Sequence, residues 1–401
     1  MSSSHVLVLN CGSSSLKFAI IDSHSATEHL SGLAERLGEA SPQIKYKING
    51  EKHTVALANG DAHEVAINQL VKLVKSLKLD QQLVAVGHRV VHGGEHFTKS
   101  ARITESVLEA IKQTATLAPL HNPANLLGIK AASEAFSSLP QVAVFDTAFH
   151  QTMAPQAFLY ALPYELYKKH SIRRYGFHGT SHYYVSARAI DLLGFQGKPS
   201  KIITAHLGNG CSVCAVKDGK SVDTSMGLTP LEGLVMGTRS GDIDPGLFAY
   251  LVNQLHYSAS QIDTLLNKES GLLGISELSN DCRTIEESAA QGHAQAQLAL
   301  DIFCFRLAKQ IASFAVPLGG IDALVFTGGI GENSDVIRAK VVEQLAFLGF
   351  KLNTDSNLAA RFGSEGIITD QESTPLALVV PTNEELVIAQ DAAKLAKEHA
   401  S

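Results

Sequence analysis

Small hydroxyl-bearing residues followed by a lysine stand near the start of the chain, between two apolar runs. The segment reads LVLNCGSSSLKFAIID over residues 7–22 and contains Asn10, Ser13, Ser15 and Lys17. Small residues in a turn let backbone N–H groups approach phosphate oxygens, and successive N–H groups form an anion-binding concavity. The segment is therefore either an ordinary hairpin or a cradle for an anion, and other residues must decide between the two.

Two further turns of small residues occur at 208–210 and 328–331. Each turn alone is more often a structural loop than a ligand site, but three turns at corresponding places of two similar halves favour a bound nucleotide. The chain has no G-x-x-x-x-G-K-[ST] phosphate-binding loop. The segment GGIGEN does not complete the dinucleotide motif G-x-G-x-x-G, because Ser334 occupies its last position.

The sequence surroundings of two arginines indicate that they bind an anion. Arg89 follows an apolar strand in VGHRVVHGG, and Arg239 lies in the glycine-flanked loop MGTRSGDIDPG. The planar guanidinium group binds carboxylate or phosphate through paired hydrogen bonds. We interpret both arginines as anion ligands, and the segment RRYGFHGTSH adds His178 as a donor.

Acidic residues follow two apolar strands. Asp146 ends the run QVAVFD and Glu384 follows VVPTN. A carboxylate at the carboxyl end of a buried strand is a common position for a functional group in α/β enzymes. A helix N-cap is the structural alternative. We favour function for Asp146, and both readings stay open for Glu384.

Metal-binding patterns are weak. Histidines spaced four apart occur at 88, 92 and 96 and at 178 and 182, but glycines 93 and 94 interrupt a helix there and the second pair lacks an acidic third ligand. Cys211 and Cys214 form a C-x-x-C without a second pair. We expect no zinc site at these histidines or at this cysteine pair and, with five scattered cysteines, buried and reduced thiols.

Composition bounds the class of protein. The chain has 401 residues, 45% hydrophobic and 18% charged, with a net charge of −6. The length predicts two domains, and the negative charge argues against a basic nucleic-acid surface or a polybasic membrane patch. No apolar stretch reaches the ~18 residues of a spanning helix, and the N-terminus lacks the basic segment of a signal peptide. We expect a cytoplasmic protein.

The strand–turn–strand pattern at the start of the chain occurs again in its second half. A second strand–turn–strand pattern fills 201–225, with a further turn at 217–220 that leads into a third strand. Later apolar strands lie in 141–150 and 323–334. We interpret these as a duplicated α/β unit, with a sheet covered by helices on both faces.

Helical periodicity is clearest in two segments. The run 294–318 is apolar on most sides, so we predict a buried helix that Pro317 and the glycines 319 and 320 terminate. In 383–399, Thr382 and Glu385 have the spacing of a capping box. We expect this last helix to pack on the N-terminal domain.

Motifs over nearly the whole chain, from Asn10 to Glu384, resemble those of the acetate kinase family, without a departure. In order, they read LVLNCGSSSLKF, GHRVVHGG, PLHNP, FDTAFH, YGFHGTSH, HLGNG, GTRSGDIDPG, FTGGIGEN and PTNEE. The resemblance implies an α/β fold of the actin, Hsp70 and sugar-kinase type, with two duplicated ribonuclease-H-like domains and an active site in the cleft between them. It implies an N-terminal lobe of 1–148 plus 383–401, closed by the last helix, and a nucleotide-binding and dimerisation lobe of 149–382.

The resemblance also assigns roles to residues of this sequence. It implies a catalytic role for Asp146, His178 and Arg239. For the substrate it implies Arg89 on the carboxylate and His121 as a further binding residue. Near the methyl group it implies Val91, Leu120, Phe177 and Pro230. For the nucleotide it implies Ser13, Ser15, Lys17, His206, Leu207, Gly208, Asn209, Gly210, Asp281, Cys282, Arg283, Gly329, Ile330, Gly331, Glu332 and Asn333. For the metal it implies Asn10 and Glu384.

The implied reaction is the reversible, in-line transfer of the ATP γ-phosphoryl group to acetate by a homodimer. It uses Mg²⁺, which Mn²⁺ can replace, and gives acetyl phosphate and ADP. Acetate is ionised at pH 7, so it needs no general base; the obstacle is repulsion between two anions, which fixed cations offset. We therefore interpret Asp146 as an orienting group for metal, water or arginine rather than as a proton acceptor.

Three alternatives stay open. A propionate kinase is the nearest, although a valine, a leucine and a phenylalanine leave little space beyond a methyl group. An ATPase of the Hsp70 or actin type would not need Arg89 and Arg239 with a histidine. A sugar kinase would need a base for its hydroxyl substrate, and Asp146 has the chemistry for that role.

Overall fold

The chain divides into two compact units in a computed structural model that describes residues 4–118 and 121–398. Unit 1 comprises Met1–Gln151 and Asn383–Ser401, and unit 2 comprises Thr152–Thr382. The first boundary predicted from the sequence, after residue 148, lies three residues earlier than this division. Within the described ranges, no helix combines the length and apolarity needed to cross a membrane.

Strands form two sheets, one in each unit. In chain order they are β1 (His5–Cys11), β2 (Ser15–Asp22), β3 (Glu28–Glu35), β4 (Gln43–Ile48), β5 (Glu51–Ala56), β6 (Leu83–Val90), β7 (Ala101–Arg102), β8 (Gln141–Phe145), β9 (Lys201–Leu207), β10 (Cys211–Lys217), β11 (Lys220–Thr224), β12 (Ala323–Thr327), β13 (Gly366–Ile367) and β14 (Leu376–Val379).

Helices cover both units. In chain order they are α1 (His63–Ser76), α2 (Glu105–Gln113), α3 (Asn122–Ala135), α4 (Pro155–Phe158), α5 (Tyr164–His170), α6 (Gly179–Leu192), α7 (Gly246–Leu255), α8 (Ala259–Lys268), α9 (Gly271–Ser276), α10 (Cys282–Ala290), α11 (Ala294–Ser313), α12 (Ala315–Leu318), α13 (Gly328–Asn333), α14 (Asp335–Gln344), α15 (Thr354–Ala359) and α16 (Glu384–Lys397). Short 3₁₀ helices lie at Asp80–Gln82, Thr114–Thr116, Ala148–Thr152 and Ala346–Leu348.

The two sheets share one topology. The sheet of unit 1 has the order β5-β4-β3-β2-β1-β6-β8-β7, and that of unit 2 has the order β11-β10-β9-β12-β14-β13. In each unit, an antiparallel strand triplet is extended beside its first strand by two parallel strands. This common core confirms the predicted hairpins and the duplication.

One detail of the predicted duplication is wrong. The sequence suggested that the strands in 141–150 and 323–334 correspond to each other. In the sheets, β12 pairs with β9 as β6 pairs with β1, so β6 is the counterpart of β12. Strand β8, which precedes Asp146, corresponds to β14. Apolar runs of similar length do not reveal which parallel strand lies next to the hairpin.

Alternation along β1 decides which residues face the site. Successive side chains of a strand point to opposite faces of the sheet. Leu7 and Leu9 join the core cluster with residues of α1 and α3, whereas Val8 and Asn10 lie on the side of Ile388 in α16. Helix α16 thus packs on unit 1, as predicted, and contacts β1, β6 and β8.

Close approach of α16 depends on a glycine in β6. A Cβ atom at Gly87 would lie 2.6 Å from Cγ2 of Ile388, a separation that a packed core does not allow. Arg89 stands two residues further along β6, so it faces the same side as Gly87. The fold therefore places Arg89 and Asn10 on the face that α16 covers.

The apolar segment 294–318 differs from its prediction. It forms two helices, α11 and α12, and the chain leaves helical conformation at Gly319, whose φ is 70°. Pro317 lies inside α12 rather than at its end. One face of the segment is exposed, since Phe305 is 59% and Val316 83% accessible. Apolar composition on most sides did not mean burial on all sides.

The predicted buried thiols are confirmed. The five cysteines, Cys11, Cys211, Cys214, Cys282 and Cys304, are free and buried. Burial raises the pKa of the Cys211 thiol to about 12, and it raises the pKa of the Cys214 thiol further. Both thiols therefore stay neutral at physiological pH, which is the form of an apolar packing group.

The N-terminus of α16 is capped differently from the prediction. Asn383, not Thr382, is the N-cap, and its Oδ1 accepts a hydrogen bond from the backbone N–H of Leu386 at 3.0 Å. The Thr382 hydroxyl instead bonds Ser181 at 2.7 Å, and Glu385 forms an ion pair with Lys17. The capping box is absent because both of its members have other partners.

Replacement of the observed cap tests this assignment. Asn383→Ala is expected to destabilise unit 1 by about 1 kcal/mol, because it removes the acceptor for one N–H of the first turn. Asn383→Ser keeps an acceptor and should retain most of the stability. Thermal and urea unfolding of both variants measure the difference, and equal stability of the alanine and serine variants would contradict the assignment.

Candidate active site

A bidentate ion pair joins two of the predicted site residues in unit 1. Strands β6 and β8 are parallel neighbours, with Arg89 opposite Val144, so Asp146 follows β8 at the edge where β6 also ends. Nε of Arg89 donates to Oδ1 of Asp146 at 2.9 Å, and Nη2 donates to Oδ2 at 2.5 Å. The Asp146 side chain is 2% exposed and that of Arg89 23%. The sequence left metal, water and arginine as partners of Asp146, and in the structure Asp146 contacts Arg89.

The charge of Arg89 is held firmly. Burial alone would lower the pKa of the guanidinium group, but the charge and hydrogen bonds of Asp146 raise it above its ordinary value. Glu384, the first residue of α16, also contributes to that increase. Arg89 therefore stays cationic while one face of it remains partly exposed.

Glu384 has an unusual protonation equilibrium. Burial raises the pKa of its carboxyl group from 4.5 to about 7, and the charges of Asp146 and Glu385 add to the increase, while Arg89 and Lys17 oppose it. A carboxyl group with a pKa near neutrality is common at functional sites. Helix capping was the structural alternative for Glu384. The structure excludes it, because the N-cap of α16 is Asn383.

Oxygen donors for a cation line one small cavity of unit 1. Asn10, Lys17, Arg89, Glu384 and Glu385 line it together with apolar residues of β1, β2 and α16. Mg²⁺ is bound in proteins by one or two carboxylates plus water and substrate phosphates. The amide oxygen of Asn10 and the carboxylate of Glu384 fit that donor set, whereas Asp146 already uses both oxygens on Arg89.

Hydrogen bonds to its backbone hold the turn that contains the serines. The backbone N–H of Gly12 donates to the carbonyl of Ser15 at 2.8 Å, and Ser13 is exposed. His63 of α1, which is buried, donates from Nε2 to the carbonyl of Gly12 at 2.7 Å. Lys17 does not point to this turn but pairs with Glu385. Ser13 is therefore exposed at the turn and Ser15 begins β2, whereas Lys17 is held by Glu385.

A chain of hydrogen bonds positions His178 in unit 2. Nδ1 of His178 bonds the hydroxyl of Ser212 at 2.9 Å, and the same hydroxyl bonds Nε2 of His182 at 2.7 Å. Nδ1 of His182 bonds the hydroxyl of Thr204 at 2.6 Å. The ring of His206 lies against that of His178 with centroids 4.3 Å apart. His178 is thus fixed through one ring nitrogen.

Arg239 and His178 converge on the glycine turn after β9. A Cβ atom at Gly210 would lie 3.4 Å from Nη1 of Arg239 and 3.5 Å from Nε2 of His178. Arg239 donates to the carbonyl of Pro230 at 3.0 Å, and burial lowers its pKa. Among the described residues, no carboxylate lies within ion-pair distance of Arg239. Its positive charge is available to an anion.

A second cavity, in unit 2, gathers six of the other predicted nucleotide residues. It has a volume of about 580 Å³ and is lined by Asp281, Cys282, Arg283, Glu286, Glu287, Gly329, Ile330, Asn333, Ser334, Asp335, Arg361 and Phe362. Asp281 caps α10 by accepting from the N–H of Thr284 at 3.0 Å, so this aspartate also has a structural role. The segments around α10 and α13 therefore meet at one concave surface.

The predicted turn at 328–331 is a short helix, α13, rather than a loop. Glu332 within it has a structural role: its Oε1 accepts from the backbone N–H groups of Gly328 at 2.9 Å and Thr382 at 3.0 Å. Glu332 and Gly331 do not line the cavity. The family resemblance grouped these residues with Gly329, Ile330 and Asn333, but only the latter three line the cavity.

The end of β9 and the turn after it hold the rest of the predicted nucleotide set: His206, Leu207, Gly208, Asn209 and Gly210. The N–H of Gly208 donates to the carbonyl of Gly210 at 3.0 Å. The Oδ1 of Asn209 accepts from Asn280 at 3.1 Å, which ties the turn to the segment before α10. His206 bonds the hydroxyl of Ser181 through Nδ1 at 2.8 Å.

The other residues predicted to contact the substrate are divided between the units. Val91, 7% exposed, and His121, the N-cap of α3, belong to unit 1. Phe177, 2% exposed, and Pro230 belong to unit 2. Leu120 lies outside the described residues. Their convergence on one pocket stays a prediction.

Several contributors were missed from the sequence. Asn125, 2% exposed, accepts from the N–H of Val91 at 3.1 Å and donates to the carbonyl of Cys11 at 2.9 Å, so it joins two site segments. Ser212 supports His178. Arg361 and Phe362 line the second cavity, with the guanidinium carbon 5.3 Å from the ring centroid. The available sequence signal was Asn125 itself, a polar residue inside the apolar pattern of α3.

Comparisons with known proteins agree with this geometry. A family model described as the acetokinase family matches residues 5–390. The chain is 59% identical to an acetate kinase of Shewanella amazonensis, over 98% of this chain and 99% of that protein. A solved propionate kinase of Francisella tularensis superposes with a TM-score of 0.93 at 49% identity, covering 98% of this chain and 100% of that one. An acetate kinase of Porphyromonas gingivalis also gives 0.93, at 44% identity and 98% and 99% coverage.

The raised pKa of Glu384 predicts a pH-dependent stability. A carboxyl group whose pKa is about 7 in the folded chain and 4.5 otherwise stabilises the fold below pH 4.5, and this contribution is lost as the pH rises through 7. Glu384→Gln should flatten the fall in thermal midpoint between pH 5 and pH 8. Glu385→Gln is the matched control, since the pairing with Lys17 lowers the pKa of Glu385 against the effect of burial. Equal slopes for wild type and Glu384→Gln would contradict the prediction.

Proposed function

Because the chain belongs to the acetokinase family, we propose that it transfers the γ-phosphoryl group of ATP reversibly to acetate and forms acetyl phosphate. The observation that supports this most directly is Arg239, a partly buried cation without a carboxylate partner among the described residues, beside His178 and a glycine turn. Such a group is suited to a transferring phosphoryl group, whose charge is spread over its equatorial oxygens.

Arg89 and Arg239 then have different tasks. Arg89 is neutralised on one side by Asp146, so it offers a fixed, oriented donor edge to the carboxylate of acetate. Arg239 brings an uncompensated positive charge, which stabilises the larger negative charge of the transition state. Since acetate is ionised at neutral pH, no group has to remove a proton from it.

His178 acts as a hydrogen-bond donor in this proposal. If Thr204 donates to His182, His182 to Ser212 and Ser212 to Nδ1 of His178, then each contact of the chain is a donor–acceptor pair. The proton of His178 is then on Nε2, the nitrogen beside Gly210 and Arg239. In this orientation the Ser212 hydroxyl donates to Nδ1 of His178, which leaves Nε2 to donate to a phosphoryl oxygen.

A divalent metal completes the charge balance. We assign Mg²⁺ to the cavity with Asn10 and Glu384, whose oxygens fit its preference. When bound, Mg²⁺ offsets the negative charge of the nucleotide phosphates. The protein groups orient it, and the pKa of Glu384 near 7 means that a proton competes for this ligand in the free protein.

The acceptor is proposed to be acetate rather than propionate. The relative at 59% identity is an acetate kinase, whereas the structure at 49% identity is a propionate kinase. A sugar acceptor is disfavoured, because Asp146, the one residue considered as its base, has both oxygens engaged by Arg89. The homodimer, the cytoplasmic location and an active site shared by the two domains also stay predictions.

Acceptor dependence tests the proposed reaction. ADP formation should require acetate, and kcat/KM for propionate should be roughly 10- to 200-fold lower, because one methylene group changes binding by about 1–3 kcal/mol. A coupled assay of ADP release with acetate, propionate and glucose measures this. Faster turnover with propionate would reassign the acceptor, and ATP hydrolysis indifferent to acetate would overturn the kinase assignment.

Replacement of the two arginines should change different kinetic constants. Arg89→Ala is expected mainly to raise KM for acetate and Arg239→Ala mainly to lower kcat, each by on the order of 10²–10³-fold, because loss of a desolvated charge contact costs about 2–5 kcal/mol. Arg188→Ala is the matched control, since Arg188 forms an exposed ion pair with Glu365. Thermal midpoints exclude unfolding as the cause. Kinetic constants of Arg239→Ala within a few fold of wild type would contradict its role.

A further inference from the structure

Two histidines and an aspartate meet at the ends of three strands in unit 1. His5 begins β1 and lies directly opposite Asp22, the last residue of β2. The pairing of β2 with β3 shifts register between Ile20 and Ile21, because Ile20 faces Leu30 and Ile21 faces Glu28. This bulge leaves His29 as the extra residue of β3. Residues far apart in sequence thereby come together at one edge.

The ligand atoms of these three residues face one another. Nε2 of His5 lies 2.8 Å from Nε2 of His29, and one nitrogen or oxygen atom of each of the three residues lies within 4.8 Å of the others. Nδ1 of His5 is buried, so Nε2 is the nitrogen that it presents to the cluster. Two imidazole nitrogens at this separation either share a proton or bind one cation.

The aspartate is fixed and ionised. Its Oδ1 accepts from the backbone N–H groups of His24 at 2.8 Å and Ser25 at 2.9 Å, and its Oδ2 accepts from the hydroxyl of Ser4 at 2.9 Å. The two backbone hydrogen bonds lower the pKa of Asp22 well below its usual range. Asp22 therefore supplies an oriented negative charge, and among the described residues it forms no ion pair with a lysine or arginine.

His5, the buried histidine of the cluster, favours the neutral form. Burial and the neighbouring His29 lower the pKa of His5, although Asp22 and a hydrogen bond with the backbone of Gln82 oppose the decrease. A neutral imidazole is the ligand form of histidine. His5 is 9% exposed, whereas Asp22 and His29 are half-buried, so the cluster is open to solvent on one side.

We propose that His5, Asp22 and His29 form a binding site for one divalent transition-metal ion, of which zinc is the best match. Two imidazoles with a carboxylate are a common zinc ligand set, whereas Mg²⁺ and Ca²⁺ prefer oxygen ligands. Ligands of one zinc ion lie about 3–3.5 Å apart when metal–ligand distances are about 2.0–2.2 Å. A small rotation of the half-buried His29 side chain, with Asp22 held in place, brings the ligand atoms toward that spacing, and water fills the remaining position.

This site is separate from the proposed magnesium ligands. Asn10 stands five positions after His5 in β1, a distance of roughly 17 Å along an extended strand. A metal at the cluster joins the start of β1, the end of β2 and the start of β3. Its effect is therefore on the stability of unit 1, not on the phosphoryl transfer.

Cobalt provides a spectroscopic test. Metal-free full-length protein is titrated with Co²⁺, whose visible absorption reports ligand type, and with Zn²⁺ in a calorimeter. We expect one ion per chain, a histidine-type cobalt spectrum, a higher thermal midpoint with Zn²⁺, and weaker binding at low pH, where protons compete. The absence of stoichiometric binding of either ion would overturn the proposal.

Variants locate the ion. His29→Gln and Asp22→Asn should each weaken Zn²⁺ binding by more than about tenfold, and asparagine can still accept from the N–H groups of His24 and Ser25. His53→Gln is the matched control, since His53 is an exposed histidine of β5 in the same sheet. Acetate-dependent turnover should stay unchanged in all three variants. Binding that survives both site variants, or that His53→Gln removes, would place the ion elsewhere and overturn the assignment.

Discussion

Repulsion between two anions is the constraint on which the rest of this molecule depends. A carboxylate that attacks a nucleotide phosphate needs positive charge held in place, because flexible surface cations lose entropy when they are ordered. The two arginines that we propose for this task are held in opposite ways. Arg89 is locked by the bidentate contact with Asp146, whereas Arg239 is held by neutral groups, the carbonyl of Pro230 and the sulfur of Met236. One cation is oriented, and the other keeps its full charge.

The repeated sheet topology explains where these groups stand. In unit 1 the parallel strands β6 and β8 end side by side, which brings Arg89 to Asp146. In unit 2 the parallel strands β9 and β12 also end side by side, and they lead into the glycine turn and into α13. Functional groups collect at the carboxyl ends of strands because loops there are free to vary while the sheet stays fixed. Duplication supplied two such edges, which carry different residues.

Polar side chains with structural roles extend this arrangement outward. Asn125 and His63 bind backbone carbonyls of the first turn region, and Ser212 with His182 orients His178. Such supporting groups restrict the rotamers of the residues they contact, and a site without them is imprecise. The cluster at the opposite end of β1 follows the same principle, since Asp22 is fixed by backbone N–H groups before any ligand binds.

The sequence by itself determined the hairpins, the duplication, the buried thiols and the residue types of the site, because each depends on neighbours along the chain or on motifs read in order. It also placed the arginines correctly at strand ends and loops. Only the tertiary structure decided the partners. Lys17 pairs with Glu385, Asp146 binds Arg89, Asn383 caps α16, and His29 reaches His5 through a bulge. Strand order and register set these contacts, and local apolar patterns are compatible with several orders and registers.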